Sequence, residues 1–276
     1  MYTQYWNLDS KPFECDSDPA FFFRSRTHQA ALLKLRYLID SNKGAAVLCG
    51  NTGNGKTLLL RMFKQELQDS DERFGPFVQL NYPYLTSNEL VGFLAAELGA
   101  EEAIVRNADI GFDTILRLLE ARLAHFKEVD RHPIIIIDEA HLIEDQKIFR
   151  TIQLLLNYRS DYSFTFLLAG QPSVLSRLSR LTELDERIGV KSLIQPFSRE
   201  ETAEYVSHRL EVAGVAESPF DESALDEIHE LSGGVPRRIN RIADLSLLVG
   251  FADGMSTLTT REVESVADEI GLSVEA

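Results

Sequence analysis

Ala45-Ala46-Val47-Leu48-Cys49-Gly50-Asn51-Thr52-Gly53-Asn54-Gly55-Lys56-Thr57 decides the reading of this chain. Its last eight residues are a complete G-x-x-x-x-G-K-T phosphate loop. The glycines let the backbone wrap closely around a polyphosphate and turn its N–H groups inward. Lys56 would reach the β- and γ-phosphates, and the Thr57 hydroxyl would ligate Mg²⁺. The apolar run Ala45–Cys49 suits a buried parallel strand. Leu58 to Leu67 suits a helix whose N-terminus points at the phosphates.

A second stretch completes the pattern. Pro133-Ile134-Ile135-Ile136-Ile137-Asp138-Glu139-Ala140-His141 is a β-branched run ending in two carboxylates. A continuous isoleucine run means that both strand faces are covered, and ligands bind beyond the carboxyl ends of such strands. Asp138 would hold Mg²⁺, directly or through water, and Glu139 would orient and deprotonate an attacking water. Asp-Glu-Ala-His also spells a helicase box. A helicase needs two such cores, and 276 residues give room for one nucleotide-binding domain and a small companion.

Composition narrows the class. Apolar residues make up 44% of the chain, which suits a packed core rather than disorder. No apolar run approaches the ~18–20 residues of a membrane span. The first ten residues lack the charged and apolar regions of a secretory signal. Cys15 and Cys49 make neither a disulfide framework nor a metal site, the six histidines show no ligand spacing, and a cytosolic setting is expected. The net charge of −15 is uneven. From Pro196 onward there are six Lys/Arg and 17 Asp/Glu, a net −11, which leaves −4 for residues 1–195. Such an acidic C-terminal part repels polyanions and disfavours nucleic acid as a partner.

Strand patterns at Ala45–Cys49, Pro76–Leu80, Ile134–Ile137 and Ser163–Ala169 alternate with helical patterns at Thr27–Ser41, Thr57–Gln68, Glu89–Leu98, Phe112–Val129 and Asp145–Arg159. That alternation predicts an α/β fold, a parallel sheet flanked by helices. Four helices follow, at Glu200–Val212, Asp221–Leu231, Val235–Gly250 and Thr260–Ile270. Ser198 with Glu201 and Thr259 with Glu262 have capping-box spacing. The expected division is residues 1–195, a P-loop core with an aromatic N-terminal segment, and residues 196–276, a small all-α lid.

Taken together, the motifs resemble the AAA+ ATPases, and among them the ExeA/GspA/MshM-like branch. The resemblance spans nearly the whole chain. It is carried by Tyr5-Trp6, Lys11-Pro12-Phe13, Phe21-Phe22-Phe23 before His28, the phosphate loop, Asp138-Glu139-Ala140-His141, Ala169-Gly170-Gln171-Pro172 and Gly233-Gly234-Val235-Pro236-Arg237-Arg238-Ile239-Asn240. Leu58 departs from it where relatives often carry a second threonine. The chain also shows no peptidoglycan-binding extension, which favours the shorter members or another adapter over cell-wall contact.

The resemblance implies ATP and Mg²⁺ as ligands and ATP hydrolysis as the activity. Nucleotide contacts are expected from Gly50, Asn51, Thr52, Gly53, Asn54, Gly55, Lys56, Thr57, Leu58 and Arg237. Gln171 takes the role of sensor 1, toward the γ-phosphate or the water, against the reading of a turn residue before Pro172. Arg237 takes that of sensor 2, with Arg238 as the alternative; a planar, permanent cation suits phosphate, and Pro236 fits a helix start. Arg187 is the candidate arginine finger in trans, with Arg177 and Arg180 as rivals, and Asp185 or Glu186 could instead hold it in a salt bridge. Phe21 to His28 belongs either to an adenine pocket or to plain core packing. An ATP-dependent homo-oligomer is implied. It would act with a protein partner of a secretion, pilus or exopolysaccharide machine, cytoplasmic or peripheral to the inner membrane through that partner. Two other classes stand beside this one: a DNA-associated regulator of the TniB/TnsC type, and a nucleotide switch with negligible turnover.

Overall fold

The computed structural model describes residues 2–14, 18–81, 83–100, 111–158, 162–215 and 217–271. Cys15 and the expected helix end at Arg159 lie outside them. The chain forms two compact units, one of residues 28–51 and 60–194, the other of residues 1–27, 52–59 and 195–276.

The first unit is built on five strands: β1 (Ala45–Gly50), β2 (Phe74–Leu80), β3 (His132–Ile137), β4 (Thr165–Gly170) and β5 (Ile188–Ile194). They lie in the order β2-β3-β4-β1-β5, and every pairing is parallel. Every residue of β1, β3 and β4 is buried, as unbroken apolar runs require when helices cover both faces. Helices α2 (Arg26–Asp40), α3 (Lys56–Ser70), α4 (Ser87–Ala95), α5 (Phe112–Glu128), α6 (Gln146–Asn157), α7 (Ser173–Leu178) and α8 (Thr182–Asp185) accompany them, while a short N-terminal α1 (Tyr2–Tyr5) belongs to the other unit. A hydrophobic core runs through this unit and joins Val47, Ile135, Ile137, Phe166 and Leu168 to Val91, Leu119 and Ile152.

The sequence reading stopped one strand short. β5 alternates buried Ile188, Val190, Ser192 and Ile194 with exposed Gly189, Lys191 and Leu193. It is an edge strand, so a single neighbour and one covered face replace the continuous apolar run used to find the others.

The second unit is helical: α9 (Arg199–Val212), α10 (Glu222–Ser232), α11 (Pro236–Ala252) and α12 (Thr260–Glu269). Capping boxes close α9 at Ser198/Glu201 and α12 at Thr259/Glu262, as their spacing predicts, and a further one closes α4 at Thr86/Glu89. The core of this unit joins Val206, Leu210, Ile228, Ile239, Ala243 and Leu247 to Tyr2, Trp6, Leu8 and Phe13 from the start of the chain. Trp6 Nε1 donates to the Leu247 carbonyl at 2.9 Å and Tyr2 donates its hydroxyl to Asp244 Oδ1 at 2.5 Å. Burial, then the Asp244 carboxylate, raises the Tyr2 phenol above its ordinary value, so it remains a donor at neutral pH. The buried Arg209 lies over the Phe21 ring and donates to the Glu14 carbonyl at 3.0 Å. Phe21 and Phe23 pack against this same core, the core-packing alternative for the aromatic segment. No helix among the described residues is long and apolar enough to cross a membrane.

Candidate functional site

Strand order assembles the chemistry of the sheet unit. β3, β4 and β1 are consecutive neighbours and parallel, so Asp138, Gly170 and Gly50 leave the sheet at its carboxyl end side by side. That end is where open α/β sheets bind ligands. The Asp138 N–H donates to the Leu80 carbonyl at 2.9 Å, which extends the strand by one residue and fixes the carboxylate at its tip. Asp138 is 5% exposed. Its Oδ1 accepts the N–H of Glu139 at 2.8 Å.

Glu139 has φ +50°, a left-handed conformation uncommon for a residue with a side chain. The sharp turn starts a short 3-10 segment, Ala140–Leu142. Its carboxylate lies 3.2 Å from His141 Nδ1, an ion-pair distance without the alignment of a hydrogen bond. Gln171 follows β4 directly, half-buried, and its carbonyl accepts from the Val174 N–H at 3.0 Å. The backbone of Gln171 therefore begins a turn at the end of β4, the strand next to β3.

The helical unit holds the phosphate-loop residues 52–59. Gly53 and Gly55 have φ +87° and +80°, the region that only glycine enters at little cost, and the loop runs into α3 at Lys56. The first turn of α3 carries no acidic side chain of its own to offset the positive end of the helix dipole. Lys56 is 6% exposed and Asn54 is buried, while Thr57 and Leu58 are half-buried. A buried lysine at a helix start, where backbone amides lack helical partners, is a donor set suited to phosphate. Within the sheet unit, the buried carboxylate at the tip of β3 is an oxygen ligand of the kind Mg²⁺ prefers.

The loop is also joined to α11. The Arg237 N–H approaches the Gly53 carbonyl at 3.4 Å. A Cβ placed on Gly53 would stand 3.0 Å from Arg237 Cβ and 3.0 Å from Val235 Cγ1. The start of α11, with Val235 as its N-cap and Pro236 in its first turn, thus rests on the phosphate loop. The Arg237 and Arg238 side chains are both exposed. Of the two, Arg237 has its stem along the loop, with Cδ 3.8 Å from the same point.

The three finger candidates differ. Arg177 is exposed, and its Nη1 donates to the Ile143 carbonyl. Arg187 is exposed, and its Nη1 approaches the Leu156 carbonyl at 3.4 Å. Asp185 pairs with Lys191 instead of Arg187. Arg180 lines a cleft of about 390 Å³ together with Arg150, Gln153 and Glu183. The contacts of Gly53 with α11 and of His141 with Glu139 were not foreseen. Neither has a sequence signal, because each depends on where a side chain points after a turn.

A family model of the AAA domain matches residues 39–178, more than half of the chain. The chain belongs to the AAA domain family. Members of this family are generally nucleotide-binding ATPases. The chain is similar to general secretion pathway protein A of Aeromonas hydrophila, 30% identical over 275 residues that cover 98% of this chain and 48% of that protein. Among solved structures it is similar in fold to Cdc6p from Pyrobaculum aerophilum, with a TM-score of 0.73 at 18% identity over 95% of this chain and 71% of that one. It is also similar in fold to a chain of Drosophila ORC bound to DNA, with a TM-score of 0.68 at 16% identity over 95% of this chain and 65% of that one. The chain spans about half the length of the curated relatives that it matches.

Proposed function

We propose that this AAA protein binds ATP with Mg²⁺ and hydrolyses it, and that its nucleotide state controls the assembly or remodelling of a protein partner. The observation that carries this reading is the adjacency of β3, β4 and β1. It brings a buried aspartate, a glutamate, a glutamine and the start of a phosphate loop to one end of a parallel sheet. Lys56 and the loop amides would neutralise the β- and γ-phosphates, Thr57 and Asp138 would hold Mg²⁺, and Mg²⁺ would draw charge off the γ-phosphoryl group. Glu139 would take a proton from the attacking water as its oxygen bonds to the γ-phosphorus. The bond to the bridging oxygen breaks with its electrons leaving on ADP, and the products are ADP and inorganic phosphate. Gln171 and Arg237 would report the γ-phosphate, and Arg187 would act on a neighbouring subunit's nucleotide. We take residues 1–195 as the nucleotide-binding core and residues 196–276 as the lid.

Similarity to a general secretion pathway protein supports a partner in a secretion, pilus or exopolysaccharide machine, with the chain cytoplasmic or held at the inner membrane through that partner. The acidic charge from Pro196 onward weighs against a DNA-associated role of the transposition type. The decisive experiment is Glu139→Gln. It should bind ATP–Mg²⁺ as the parent does and release phosphate at least ~100-fold more slowly, the scale of a general base. Unchanged phosphate release would move the base elsewhere.

A further inference from the structure

His141 belongs to the acidic motif by position, yet the reaction above gives it no part. We propose that His141 is a positioning residue which orients the Glu139 carboxylate. The proposal rests on the reading of Glu139 as the base.

Glu139 sits in a left-handed turn immediately beyond a rigid strand, and its side chain has freedom that a general base must lose before it can act. In the structure one carboxylate oxygen, Oε2, is 3.2 Å from His141 Nδ1. With the proton on Nδ1, the imidazole holds Oε2 and leaves Oε1 to receive the proton of the water. A base oriented by a third group is the arrangement from which activated nucleophiles are generally built.

The imidazole is itself held. Its side chain is 12% exposed, against 43% for Glu139, so the histidine is the fixed partner and the glutamate the mobile one. The end of β4 is pressed on it. A Cβ on Gly170 would come within 3.0 Å of the His141 backbone nitrogen and 3.4 Å of its Nδ1. Gly170 precedes Gln171, so the backbone that carries the candidate γ-phosphate sensor also braces the group that aims the base. A shift of Gln171 toward a phosphate would be felt at His141 through this contact.

The test is a short series read by phosphate release and ATP binding. In asparagine the amide nitrogen takes the place of Nδ1, and in glutamine it lies one atom farther out, in the place of Nε2. His141→Ala and His141→Gln should lower kcat about tenfold, as loss of orientation does, with KM for ATP unchanged. His141→Asn should keep most of the parent rate. In a Glu139→Gln background, His141→Ala should cause no further loss, because it acts through the missing carboxylate. The proposal is overturned if the asparagine variant is as slow as alanine, if alanine matches the parent, or if the loss persists in the Glu139→Gln background. If Glu139→Gln alone is as fast as the parent, the assignment of the base fails and takes this proposal with it. A slow Glu139→Gln beside an unaffected His141→Ala removes the positioning role alone.

Discussion

The two compact units build their cores in opposite ways. The sheet unit is closed from within: β1, β3 and β4 lie fully buried beside one another, and the candidate chemical groups follow their carboxyl ends. The helical unit is closed by aromatics from the other end of the chain, with Tyr2, Trp6 and Phe13 packed among helices that begin after residue 198. α11 shows what this means. Its first turn touches the phosphate loop at Gly53, while its later turns hold Tyr2 through Asp244 and Trp6 through Leu247. Asp138 is held at the tip of β3 by a backbone hydrogen bond to the neighbouring strand. The helix that carries Arg237 is packed against a segment more than two hundred residues away.

The largest way to break this contrast is Trp6→Ala. Removing a buried indole and its hydrogen bond should cost about 3–5 kcal/mol, and the loss should fall on the helical unit. Hydrogen exchange should accelerate in α9 to α12 and leave β1, β3 and β4 protected. Equal acceleration in both units would mean that they unfold as one. Next comes Lys56→Ala, which withdraws the buried cation of the loop. Calorimetry should record a loss in ATP–Mg²⁺ affinity of at least ~100-fold, the cost of truncating one partner of a desolvated charge pair. Binding equal to the parent would remove the loop from the site. The smallest effect is expected from Arg237→Ala, about tenfold for ATP and less for ADP, since the γ-phosphate carries the additional charge and an exposed arginine contributes modestly. The same deficit for both nucleotides would pass the sensor role to Arg238 or leave neither with it.

Much of this architecture was legible because its strongest signals are continuous. The isoleucine run 134–137 and the run 45–49 require covered strands, and helix caps at Ser198 and Thr259 follow from spacing alone. β5 escaped because Ser192 occupies a buried position and Leu193 an exposed one, so its alternation is spoiled at two adjacent residues. The N-terminal aromatics declared that they would pack, but not on what. Nothing local in Tyr2 or Trp6 points to residues 244 and 247. Of the candidate site, the phosphate loop and the acidic pair could be read as motifs. The contact of Gly53 with α11 and the approach of His141 to Glu139 arise at positive-φ turns, whose side-chain directions a motif does not encode.

The margins of the sheet carry a consequence for assembly. β2 forms one margin and contains Pro76, which has no N–H to offer a further strand. β5 forms the other, where outward Lys191, paired with Asp185, lies between Gly189 and Leu193. Charged and proline-bearing margins of this kind discourage an incoming backbone from extending the sheet. Another chain that met this sheet would therefore have to do so through side chains, whose contacts are readily remade, and not through a shared ladder of amides.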